Sequence, residues 1–217
     1  DRKIDIIMKR THNRPVAQGR VEPKQAALFA IVIGVAGMAI LLLWVNALSA
    51  WLTLASFVGY AFIYTGYLKH ATPQNIVIGG LSGAMPPLLG WSAVTGTIDG
   101  GALILVLIIF AWTPPHFWAI ALYRKEEYAA AGVPMMPNVV GDQGTRWRML
   151  VYTLLLIPVT LAPLWYGHLG WLYGATAIVL GVWFTVHNVR VIRAQDNAVD
   201  RAMFKASVVY LFLLFGV

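Results

Sequence analysis

Asp1 and Asp5 stand four residues apart, a spacing that puts two carboxylates on one face of a helix within a turn. Two hard oxygen donors so placed can hold Mg²⁺, which commonly takes one or two carboxylates, several waters and the oxygens of a phosphate. Lys9, Arg10 and Arg14 follow, with Arg10 and Arg14 again at helical spacing. Cations beside metal-binding carboxylates make a site for a diphosphate. The same residues also read as a solvated acidic pair in a charged segment at a membrane surface, where basic side chains serve topology alone. A second acidic pair, Glu126 and Glu127, is framed by Tyr123, Arg124, Lys125 and Tyr128. Facing the first pair across a diphosphate, it would help neutralise a departing anion. Standing alone, it is a helix-end cluster in which Arg124 pairs with Glu127.

The run Trp112-Thr113-Pro114-Pro115-His116-Phe117-Trp118 lies inside an apolar stretch. Two successive prolines remove two backbone donors and predict a broken or kinked helix, with the freed carbonyls facing protein or a cavity. His116 at that point reads as a metal or haem ligand or a proton shuttle, with a helix-packing hydrogen bond as the plainer alternative. Gly79 and Gly83, four residues apart, fit close helix packing, and Pro86-Pro87 repeats the proline theme beside the same predicted cavity. His12, His70 and His187 fall near the charged segments and are assigned no role.

A membrane bundle must position these groups. The 217 residues are 59% hydrophobic and 12% charged, with a mean hydropathy of +0.69, far more apolar than a soluble domain. Apolar stretches at 25–46, 50–68, 74–94, 102–122, 149–168 and 171–190, with another from about 203, each approach the roughly 20 residues that cross a hydrocarbon core. Threading them back and forth collects all 16 Lys and Arg on one side, with every acidic residue except Asp99. That bias predicts a polytopic all-α bundle whose basic face is cytoplasmic and carries the chemistry. Trp44, Trp51, Trp91, Trp165 and Trp171 near the proposed ends form an interfacial belt. The net charge of +7 then reflects topology and an anionic lipid or substrate, and nucleic acid is not an expected partner. With no cysteine, disulfides and thiolate chemistry are excluded. Residues 1–20 lack the apolar core of a signal peptide, and 206–217 is too short to cross by itself. The chain is therefore expected to be a stretch of a longer protein.

Read together, the motifs resemble the UbiA superfamily of intramembrane prenyltransferases, and within it the protohaem IX farnesyltransferase, or haem O synthase, family. The resemblance rests on Asp1-x-x-x-Asp5 leading into Met8-Lys9-Arg10-Thr11-x-x-Arg14-Pro15, and on Gly79-Gly80-x-x-Gly83-Ala84-x-Pro86-Pro87. It continues in Trp112-Thr113-Pro114-Pro115-His116-Phe117-Trp118-Ala119 and Tyr123-Arg124-x-x-Glu127-Tyr128-x-x-Ala131-Gly132-Val133-Pro134. The family's first motif opens with an Asn four residues before the position of Asp1, outside this sequence, and Glu126 and Glu127 stand where relatives often have Asp.

The resemblance implies a single prenyltransferase domain over residues 1–217, holding about seven helices of a nine-helix fold. It implies transfer of a farnesyl group from farnesyl diphosphate to a vinyl group of haem B, giving haem O. Mg²⁺ would be held by Asp1, Asp5, Glu126 and Glu127, and the substrates bound by Lys9, Arg10, Arg14, Tyr123, Arg124 and His116. Asp1, Asp5, His116 and Glu127 would be catalytic, with His116 an iron ligand or a base. The expected setting is a bacterial inner membrane, or a mitochondrial one, with a haem A synthase or oxidase-assembly protein as partner. The alternatives are a UbiA-type enzyme acting on an aromatic acid or quinone precursor, and a transporter built from broken helices. A histidine after Pro-Pro favours haem over a phenol, and the absence of mid-span charge disfavours the transporter.

Overall fold

The computed structural model describes residues 2–167 and 169–217, so Asp1 lies outside the described residues. A short helix α1 (Arg2–Ile7) precedes a turn-rich segment, and α2 (Pro23–Ile40) begins the long helices. A π-helical turn, Leu41–Val45, continues α2; α3 (Ala47–Val58) runs through a ten-residue π segment, Gly59–Leu68, into α4 (Lys69–Ala71). Then come α5 (Asn75–Gly83), α6 (Pro86–Thr95), α7 (Gly100–Tyr123), α8 (Lys125–Ala130), α9 (Met136–Trp165), α10 (Trp171–Ala194) and α11 (Asn197–Phe215). Among the described residues, six helical stretches are long and apolar enough to cross a membrane, one of them made of α5 and α6 together. The seventh predicted span is α11, whose first turns carry Asp200, Arg201 and Lys205 and whose remainder is apolar.

α7 is the central post, packed against α5, α6, α9 and α11, while α10 closes the far side against α9 and α11. Its buried face presents Ile108, Ala111, Trp118, Ala119 and Leu122 to Met149, Leu156, Phe184 and Tyr210. α2 buries no residue and is apolar all round, a surface suited to lipid contact.

Side-chain contacts define two ends. At one, Asn46 Nδ2 donates to the Ser92 carbonyl at 2.8 Å and caps α3 by accepting from Ser49, and Asp99 caps α7 by accepting from Ala102 at 3.0 Å. Trp44, Trp51, Trp165 and Trp171 are exposed at this end. At the other, Asp5 pairs with Arg14, Lys125 with Asp142 and Arg146 with Asp200, while Arg201 lies over the Tyr123 ring at 5.4 Å. The charged segments thus meet at one end of a multi-pass helical membrane protein.

Three expectations need correction. Pro114 and Pro115 do not break α7, which runs unbroken from Gly100 to Tyr123. Thr113 Oγ1 donates to the Ile109 carbonyl at 2.7 Å, and α7 packs against α5, α6, α9 and α11. The proline pair that does end a helix is Pro86-Pro87, at the first positions of α6, where a missing N–H costs nothing. Second, Arg10 and Arg14 do not share a helix face, because the chain leaves α1 after Ile7 and folds back in turns. Third, the span expected from 149 begins earlier, its helix starting just past Gly141 (φ 76°), where a kink joins it to a short helical stretch from Met136.

Candidate active site

The turn after α1 folds Arg14 back so that its Nη1 lies 3.2 Å from both carboxylate oxygens of Asp5. Asp5 is held inside while Arg14 stays open to solvent, their side chains 13% and 58% exposed. Thr11 Oγ1 donates to the Asp5 carbonyl at 3.3 Å and fastens the turn. Lys69, brought in by the π segment, lies within electrostatic reach of Asp5, Arg10 and Arg14.

These four groups line one cavity of about 370 Å³. Its other walls are Tyr60, Tyr64, Trp112, Phe117 and Tyr128, with Ile4, Met8, Ile76 and Ile109. Tyr123 marks the charged end of α7, and Thr113, also in the wall, is ten residues away, about 15 Å of helix. The cavity therefore descends from cationic groups into an apolar and aromatic interior. Such a space fits a molecule with an anionic head and an apolar tail. Burial raises the Tyr128 phenol above its ordinary value, although Arg10 and Arg124 pull the other way, so it remains a hydrogen-bond donor at neutral pH.

The Tyr60 and Tyr64 rings stack at 5.4 Å, and Tyr64 sits directly over Gly79. A Cβ there would fall 2.1 Å from Tyr64 Cδ2, and one on Gly80 would fall 3.0 Å from the Thr113 methyl. The close approach is thus at Gly79 and Gly80; a Cβ at Gly83 would meet nothing within 4 Å. Gly79→Ala is expected to push the Tyr64 ring into the cavity, costing about 1–3 kcal/mol of stability and raising KM for a substrate with an anionic head and an apolar tail. Thermal unfolding in detergent with substrate titration checks this, and unchanged values of both would refute it.

The structure brings Asp5, Arg10 and Arg14 together but leaves the remaining predicted residues around the cavity. Lys9 is exposed and does not line it, and Glu126 is exposed. Glu127 faces Arg124 at 3.7 Å, and the guanidinium groups of Arg124 and Arg201 both lie over the Tyr123 ring. The acidic loop reaches the cavity through Tyr128. His116 lies behind Trp112, ring on ring at 4.1 Å, with Nδ1 2.7 Å from Ser207 Oγ. Pro86 and Pro87 line a separate apolar groove that shares Ile109 and Trp112 with the cavity. Among the described residues no three His, Asp or Glu converge as a metal cluster. Asp5 fits Mg²⁺ as a single carboxylate, with phosphate oxygens and water completing the shell. Tyr60, Tyr64 and Lys69 are cavity residues that sequence reasoning passed over.

A cationic pocket with an aromatic interior, set in a multi-pass bundle, is the arrangement of a membrane protein with room for an anionic head on a lipid-like tail. The chain belongs to the UbiA prenyltransferase family, which matches residues 1–215. It is 59% identical over 217 residues to the protoheme IX farnesyltransferase of Saccharophagus degradans, covering all of this chain and 72% of that protein. The protein of the same name from Marinobacter nauticus is 57% identical with the same coverage. Protoheme IX farnesyltransferase 1 of Pseudomonas putida is 56% identical over 215 residues, 99% of this chain and 72% of that protein. No solved structure matches the chain.

Proposed function

We propose that residues 1–217 form a prenyltransferase domain that moves a farnesyl group from farnesyl diphosphate to a vinyl group of haem B, yielding haem O. The observation that carries this reading is the grouping of Asp5, Arg10, Arg14 and Lys69 above an aromatic, apolar cavity. The relatives' names supply the acceptor. Arg10, Arg14 and Lys69 hold the diphosphate and offset its charge, with Lys9 and Arg124 as further counter-charges outside the cavity lining. The C–O bond to farnesyl breaks with its electron pair leaving on diphosphate. Tyr60, Tyr64 and Trp112 offer π faces to the allylic cation, and the apolar walls keep water from it. The haem vinyl group forms the new C–C bond, and water adds to the resulting cation, losing a proton, to give the alcohol. Asp5 would hold Mg²⁺ together with phosphate oxygens and water, Asp1, Glu126 and Glu127 being the further carboxylates that the resemblance implies, and the ion would neutralise charge on the leaving group. His116 contacts haem, and Tyr123 frames the basic entrance. The charged end faces the cytoplasm of a bacterial inner membrane or a mitochondrial matrix, with a haem A synthase or oxidase-assembly protein receiving the product.

The test incubates membranes carrying the protein with haem B, farnesyl diphosphate and Mg²⁺ and separates the haems by mass. A farnesylated haem is expected with wild type and a large loss with His116→Ala. Diphosphate release with a phenolic acid acceptor, and no haem product, would move the protein to the aromatic prenyltransferases.

A further inference from the structure

Ser207 Oγ lies 2.7 Å from His116 Nδ1 and 2.6 Å from the Phe204 carbonyl oxygen. Both are hydrogen-bond lengths, and each requires a proton of its own. The carbonyl has none to give, so the serine hydroxyl donates to Phe204. Its oxygen is then the acceptor toward His116, and the proton of that second bond sits on Nδ1. A neutral imidazole carries one ring proton, so Nε2 keeps its lone pair. Nε2 has no hydrogen-bond partner among the described residues, and the ring is only partly buried.

The ring is also held in orientation. Trp112 stacks on it, Phe117 meets it edge-on at 5.3 Å and Phe204 lies 4.9 Å away. The Trp112 indole is itself fixed, Nε1 donating to the Ser207 carbonyl at 2.8 Å. One residue of α11 thus secures the imidazole with its side chain and the supporting indole with its backbone.

We propose that Ser207 is a positioning residue that locks His116 in the Nδ1–H tautomer and presents a bare Nε2 to the haem substrate. The choice of haem rests on the function proposed above; the tautomer does not. A nitrogen lone pair can bind the haem iron or take the proton lost by the water that adds to the reacting carbon, and the test separates these.

Nitrogen-15 NMR of histidine-labelled protein in micelles, with His116 assigned through His116→Gln, reads the tautomer directly. Wild type is expected to show a protonated Nδ1 and an unprotonated Nε2, and Ser207→Ala a mixed or inverted pattern. Should Ser207→Ala fold poorly, Ser207→Cys replaces it with a weak acceptor, and the wild-type spectrum needs no variant. Haem B and metal-free protoporphyrin IX are then titrated by absorbance. Iron binding predicts about tenfold or greater weakening for haem alone in Ser207→Ala, the scale for outer partners of ligating histidines. A proton-accepting role predicts unchanged affinity with lower turnover and an altered pH profile. A protonated Nε2 in wild type, or an unchanged Ser207→Ala spectrum, overturns the proposal. The expected tautomer with no haem binding or product would remove haem as the substrate while leaving the hold of Ser207 on the ring intact.

Discussion

Asp5→Asn is expected to lower turnover by about 10²–10³-fold, the scale of removing one group that stabilises charge in a transition state. Asparagine keeps the size of the side chain and a carbonyl oxygen for Arg14, so the turn that folds residues 8–14 over the cavity should survive. What disappears is the negative charge among Arg10, Arg14 and Lys69, and with it the one described cavity carboxylate that suits Mg²⁺. The concentration of Mg²⁺ giving half-maximal rate should rise alongside the fall in kcat. Wild-type turnover at ordinary Mg²⁺ would sink the assignment of Asp5. A loss matched by an equal drop in thermal stability would point to the turn instead.

The second large effect is on stability. Arg146 and Asp200 join α9 to α11 through a 3.1 Å contact, with side chains only 5% and 1% exposed. Arg146 Nε and Asp200 Oδ1 find no further partner among the described residues. Burying two charges is costly, but stranding one is worse, so Arg146→Met or Asp200→Leu alone should destabilise by about 3–5 kcal/mol. The double substitution, which strands nothing, should recover most of that loss. Unfolding of the four proteins in one detergent gives the coupling, and additive single effects would refute it. Asp200 lies two turns before Ser207, so the single variants should also lower activity by loosening α11.

The spans were legible because length and apolarity in lipid leave few alternatives to helix. Helix starts and breaks were less so. The beginning of α9 was hidden by Asp142, Arg146 and Arg148, polar residues that read as loop; Thr145 and Arg146 are in fact buried on a helix face. The two proline pairs look equivalent in sequence, and only packing separates the pair that runs through α7 from the pair that starts α6. Asp5, Arg10 and Arg14 could be picked out because charge at a membrane boundary is conspicuous. Tyr60 and Tyr64 could not, since they lie in a stretch that reads as a plain span, and Lys69, just past its end, is a lone basic residue with no motif around it. The visible sign was their spacing, four and then five residues, which a uniform α-helical count does not bring to one wall.

That spacing follows from the π segment, Gly59–Leu68, and it makes this wall tolerant of a change in length in the gene. A π stretch differs from an α-helix by the equivalent of an inserted residue, and such insertions gather at functional sites. Loss of a single codon between Tyr64 and Lys69 would let the coil tighten to α-helical spacing while keeping the lysine on the same wall, because four α-helical steps turn the chain by nearly the same angle as five π-helical ones. A one-residue deletion here is therefore expected to be absorbed by this wall, whereas the same deletion in a regular α-helix would rotate everything beyond it.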